Sequence, residues 1–144
     1  MTLESGIIPL SDSEAITSDL TETGFLATAI GRQAVSYTHN GPHRSYKLQK
    51  LSFDSQDWTA ILFFNNGLLE QTSLHLPANA TSWGTLNAKE EEKRASTLRT
   101  SIELRLNRSL PAEFPWGRLS VYFDPQNLSG SLIFSYARAL KTGR

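Results

Sequence analysis

The stretch from Trp58 to Leu76 leaves this chain the least conformational freedom. The runs ILFF and LLEQTSLHL flank Asn65-Asn66-Gly67. Asn-Gly between two strand-forming runs favours a type I′ turn, whose positive φ angles match the twist of a hairpin. ILFF is apolar at consecutive positions, so this strand needs cover on both faces, or a partner on its outer face. The expectation is an interior strand of a sheet.

Other segments extend the same pattern. Val, Ile, Tyr and Thr between Gly24 and Thr38, interrupted by Gly31, predict two short strands or one bulged strand. His39-Asn40-Gly41-Pro42 has turn chemistry. Residues 44–53 then read as a strand with Tyr46, Leu48 and Lys50 on one face and Lys47, Gln49 and Leu51 on the other. Its lysines suggest an edge that discourages self-association. Near the end, Leu119, Val121 and Phe123, then Leu132, Phe134 and Tyr136, alternate with mostly small or polar residues around Asp124-Pro125-Gln126-Asn127, which predicts a second hairpin.

Helical signals occur twice. Ser11 and Glu14 have the spacing of a capping box, which predicts a short helix over about 12–20 with Ala15, Ile16 and Leu20 inward and Gly24 turning the chain afterwards. Asn87 and Glu90 repeat the spacing before a longer helix over about 88–107. There Ala95, Leu98, Ile102 and Leu106 fall on one face, Glu90, Glu91 and Glu92 complement the positive end of the helix dipole, and arginines gather at the other end. The fold class is α+β: an antiparallel sheet of about five to six strands with the long helix packed on it and the short helix near the N-terminus.

At 144 residues this is one domain, 1–144, within which residues 1–22 form an acidic leader. Glu4, Asp12, Glu14, Asp19 and Glu22 precede the first cation, Arg32, so the leader carries −5 and, since the whole chain is neutral, the rest +5. The leader should lie on the more basic body, or serve as an arm that a basic partner recruits. Zero net charge removes the broad positive field of a general nucleic-acid or anionic-membrane binder. The N-terminus lacks the charged start and apolar run of a secretory signal, and no run is long enough to span a bilayer, so a cytoplasmic location is expected.

Chemistry-bearing motifs are sparse. With no Cys there is no thiol nucleophile or thiolate metal site. His39, His43 and His75 lack metal-ligand spacing, and Asp54, Asp57 and Asp124 sit in solvated turn contexts, while Glu70 reads as a solvent-facing strand residue. Phosphate-loop, dinucleotide, zinc-protease, nucleophile-elbow and EF-hand patterns are not present. No catalytic residue, metal ligand or cofactor is assigned. Trp58, Trp83 and Trp116 stand at element boundaries, where indoles close the ends of a core or anchor an interface.

Together, FFNNGLLEQTSLHL, KEEEKRAS and FPWGRLSVYFDPQNLSGSLIFSYA resemble a pattern of small bacterial α+β proteins, some of them immunity proteins of toxin systems in interbacterial competition. The resemblance spans residues of about 58–137. It implies a non-catalytic cytosolic module that binds and neutralises a cognate toxin. The resemblance carries over no binding residue; the chain's own boundary tryptophans and helix-start acids offer Trp83, Glu90, Glu91, Glu92 and Trp116 as the contacts, and against a nuclease toxin the acidic leader or those glutamates would mimic nucleic-acid phosphate. Homodimerisation is compatible with this reading. The alternatives are a small-ligand protein or enzyme with a pocket between helix and sheet near Tyr122, Tyr136 and His75, and a secretion chaperone, whose more acidic balance this chain does not match.

Overall fold

The computed structural model describes residues 3–11, 13–53, 56–75, 88–124 and 129–136, with the backbone alone described at 88–91, 124 and 129. At its centre is the expected hairpin: β5 (Gln56–Asn65) turns through Asn66 and Gly67 into β6 (Leu68–His75). Both turn residues have positive φ, 53° and 78°, as a type I′ turn requires.

The chain starts with a 3₁₀ turn at Leu3–Ser5, then β1 (Ile8–Pro9) and β2 (Ala15–Ile16), which pair antiparallel. It continues through α1 (Glu22–Ala27) and a 3₁₀ turn at Gly31–Gln33 to β3 (Val35–Asn40) and β4 (His43–Phe53). After β6 come α2 (Ala88–Leu106), β7 (Ala112–Phe114), β8 (Gly117–Asp124) and β9 (Ser129–Tyr136). Among the described residues, the strands after β2 form one antiparallel sheet in the order β3-β4-β5-β6-β9-β8-β7. The class is α+β, with more strands than the five or six expected.

The short helix is not where the capping-box spacing puts it. Ser11 Oγ does accept from the Glu14 amide at 3.1 Å, but Leu10 and Ser11 donate their own amides to the Glu14 carbonyl, and this closes the β1–β2 loop. The first helix instead begins at Thr21, whose hydroxyl caps the amide of Gly24. Gly24 therefore lies inside α1, and the strand expected from it starts only at Val35.

One face of the large sheet carries the core. Tyr46, Leu48, Leu62, Phe64, Leu74, Leu119, Leu132, Phe134 and Tyr136 are all buried in it. α2 covers the β8–β9 side, with Ile102 and Leu106 buried, Leu98 packed beside them and Ala95 close enough to Gly130 that a β-carbon there would stand 3.0 Å from its methyl. The other side is covered by Leu3, Ile8, Leu10 and Ile16 of the leader and by Phe25 of α1, the last packed against Tyr46 and Phe64. Four buried apolar residues make the leader part of the core and not a detachable arm, since burying each contributes about 1.5–3 kcal/mol.

Strand β4 departs from simple alternation. Its register with β5 shifts between Leu48 and Leu51, so a bulge returns Leu51 to the core face, where it and Phe53 are buried while Gln49 and Lys50 are exposed. Nor is β4 the edge: β3 pairs outside it from His43 to Lys47. Pro125, Gln126 and Asn127 of the DPQN turn, Trp83 and Asn87 lie outside the described residues.

Candidate functional site

The core-bearing face is covered, and no described helix or strand packs on the opposite face. Strand registers place three cross-sheet rows there. One runs Val35, Lys47, Ile61, Ser73, Ile133, Ser120; a second Ser45, Phe63, Gln71, Ser135, Arg118; a third Thr59, His75, Ser131, Tyr122. This explains the doubly apolar ILFF run: Leu62 and Phe64 enter the core, whereas Ile61 and Phe63 face outward, Ile61 still nearly buried beneath its longer neighbours. Six small hydroxyl residues are interspersed in these rows with nine larger side chains, and Ser45, Ser73 and Ser131 are buried between them. Tyr122, 54% exposed, is the most prominent ring of the face.

His75 and Ser131 form a pair on this face, with Nδ1 and Oγ 2.9 Å apart. Burial, and secondarily the nearby Lys47 ammonium, pushes the imidazole below its ordinary range, so it is neutral at pH 7. Its Nε2 is buried and has no hydrogen-bond partner among the described residues. A serine nucleophile needs its base held by a third group. No described carboxylate bonds this histidine, and Ser131 is nearly inaccessible. The pair is better suited to fixing the sheet surface than to attack on a substrate.

The pocket expected near Tyr122, Tyr136 and His75 does not assemble. His75 and Tyr122 flank Ser131 on the outer face, but Tyr136 is fully buried on the core face. A hollow of about 530 Å³ does occur along α2, between Lys93 and Arg105 beside the exposed Leu104, but its described walls come from that one helix. Among the described residues, no group of three or more His, Asp or Glu is placed to hold a metal ion. Of the turn acids, Asp57 accepts from Ser52 and pairs with Lys50, while Glu70 is half-buried and accepts from Asn65.

The residues expected at a partner interface are dispersed. Glu92 is exposed in the first turns of α2, in which Glu90 and Glu91 also lie. Trp116 is half-buried: its ring stacks on Phe114, tilts against Phe134 and Tyr136, and donates Nε1–H to the Glu4 carbonyl at 2.7 Å. Gly117, beside it, pairs with Tyr136 at one end of β9, while Ala95 lies over Gly130 at the other. Six residues of strand, about 20 Å, separate those ends. The acidic start of α2 and Trp116 do not form one patch.

The two sheet edges differ, and periodicity gave no warning of it. β7 has three residues, with Pro111 before it, Pro115 after it, and Glu113 ion-paired to Arg118 at 2.5 Å. β3 has six, all exposed, with no proline and no acid, lysine or arginine among them.

No family model and no curated protein matches the chain. Among solved structures it is similar to a chain of the complex of Rhs1-CT with its cognate immunity protein RhsI1, with a TM-score of 0.53 and 16% identity over 90% of this chain and 82% of that one. At that identity the likeness is one of fold.

Proposed function

We propose that this protein is a non-catalytic cytosolic inhibitor of the immunity type, which binds a cognate toxin and blocks it by occlusion. The observation that carries this reading is a sheet face on which no described helix or strand packs, ending in an exposed edge strand. The fold, shared with a chain of a toxin–immunity complex, supports it. A broad, preformed sheet surface costs little to order on binding, which favours a tight complex from a modest area. Glu92 and Trp116 are offered as secondary contacts at opposite ends of the β8–β9 hairpin.

The test is genetic and biochemical. The product of the adjacent gene is expressed alone and together with this chain. Growth arrest relieved by co-expression, with a stable complex on purification, is the expected outcome. A harmless neighbour that forms no complex would overturn the proposal.

A further inference from the structure

We infer that the partner attaches at β3, by adding an extended, acidic segment as an eighth strand of the large sheet. This rests on the inhibitor reading above and specifies its contact surface.

The first argument is the asymmetry of the edges. A sheet edge presents a row of unpaired backbone N–H and C=O groups, and proteins ordinarily blunt it by shortness, proline or charge. β7 has all three devices. β3 has a single irregularity, the register shift between Ser36 and Thr38. Its apolar side chains are left in water, with Val35 55% and Tyr37 57% exposed. Beyond the ladder with β4, no hydrogen bond from its backbone to a described residue occurs. Such an edge is a template for strand addition, in which main-chain bonds hold the incoming segment and alternate side chains select it.

The second argument is charge. Arg32 precedes the strand by three residues, Lys47 stands opposite Val35, and Arg44 stands opposite His39. Among the described residues, the carboxylate beside these cations is Glu22, 13% exposed and already engaged by Arg44 and by the Tyr46 hydroxyl. The edge is therefore bordered by excess positive charge. Lys47 and Arg44 lie two strand spacings, about 10 Å, from an incoming backbone, and their long side chains shorten that gap to within the screening length at physiological salt. A second copy would bring the same positive border against itself, whereas an acidic strand is attracted.

The test uses the full chain and the toxin encoded by the adjacent gene. In the complex, amides of β3 should gain hydrogen-exchange protection, and affinity should fall as salt is raised. Tyr37→Glu should weaken binding about thirtyfold through like-charge repulsion, while Tyr37→Lys should bind at least as tightly as wild type. A purely steric effect would weaken both. If the wild-type chain does not bind the toxin, the inhibitor reading fails and takes this inference with it. If it binds but β3 amides stay unprotected, or both variants bind equally, the inference alone is overturned. A dimer of the free chain that Tyr37→Glu dissolves would assign the edge to a second copy and also overturn it. Should a variant misfold, exchange on the wild-type complex decides.

Discussion

The hydroxyls of Tyr136 and Thr72 lie 2.9 Å apart, both side chains sealed from solvent at the centre of the sheet. Burial pushes the phenol far above its ordinary range, with the Thr72 bond opposing in part, so it stays protonated throughout the working pH range. Each group satisfies the other where water cannot. Removing one hydroxyl orphans its neighbour, so Tyr136→Phe or Thr72→Val should each cost about 1–3 kcal/mol. The double variant, which removes both polar groups, should cost much less than the two losses added together. Urea denaturation of all four proteins measures this cycle, and simple additivity would show that the pair is not coupled.

His75 gives the stability of the fold a pH dependence of known sign. Burial, then Lys47, holds its folded pKa below the ordinary value of 6.5. As pH falls through 6.5 the unfolded chain takes up this proton and the folded chain resists, so the unfolded state binds more protons and stability falls. Above that window the group contributes no slope. Replacing His75 with Gln should remove this component, leaving a shallower loss between about pH 6.5 and 5. Thermal melts of both proteins across that range check it, and parallel curves would refute it.

What the chain advertises and what it conceals follow from the range of the interactions involved. The Asn66-Gly67 turn and the inward stripe Ala95, Leu98, Ile102 and Leu106 were legible because local backbone preference and periodicity decide them. Ser11 was misread because its bond to the Glu14 amide is common to a helix start and a tight loop; pairing of Ile8 with Ile16 decides between them, and that is a tertiary fact. The β4 bulge is hidden for the same reason, since Lys50 occupies a position that strict alternation assigns to the core. His75 and Tyr122 are expected together, but with Tyr136 as the third member; that Ser131 stands between them instead depends on β6 lying beside β9, a connection that crosses α2 and leaves no periodic trace.

Trp116 acts first as a clasp between the leader and the last hairpin. Its indole lies over Gly6 so closely that a β-carbon there would stand 2.5 Å from the ring, and its Nε1–H holds the Glu4 carbonyl. Gly6→Ala should therefore cost about 2–3 kcal/mol, the added methyl forcing the ring away. Trp116→Phe should cost less, about 1 kcal/mol beyond lost packing, and raise hydrogen exchange at residues 3–6. A Gly6→Ala protein within about 0.5 kcal/mol of wild type would mean that the clasp yields freely.

Two further glycines separate steric from conformational demand. At Gly31 a β-carbon would fall 1.8 Å from the Phe25 carbonyl oxygen, inside the turn that Thr28 braces by donating to that same oxygen and accepting from the Gly31 amide. Backbone cannot step aside as a flexible side chain can, and Phe25, fully buried against Tyr46 and Phe64, would have to move with it. Gly31→Ala should cost more than about 3 kcal/mol. At Gly67 nothing lies within 4 Å, and only the φ of 78° opposes a side chain, so Gly67→Ala should cost about 1 kcal/mol. Denaturation midpoints of the two variants rank these effects. Equal losses would mean that the α1 turn rearranges to admit a methyl, and that Phe25 is less firmly anchored than its burial implies.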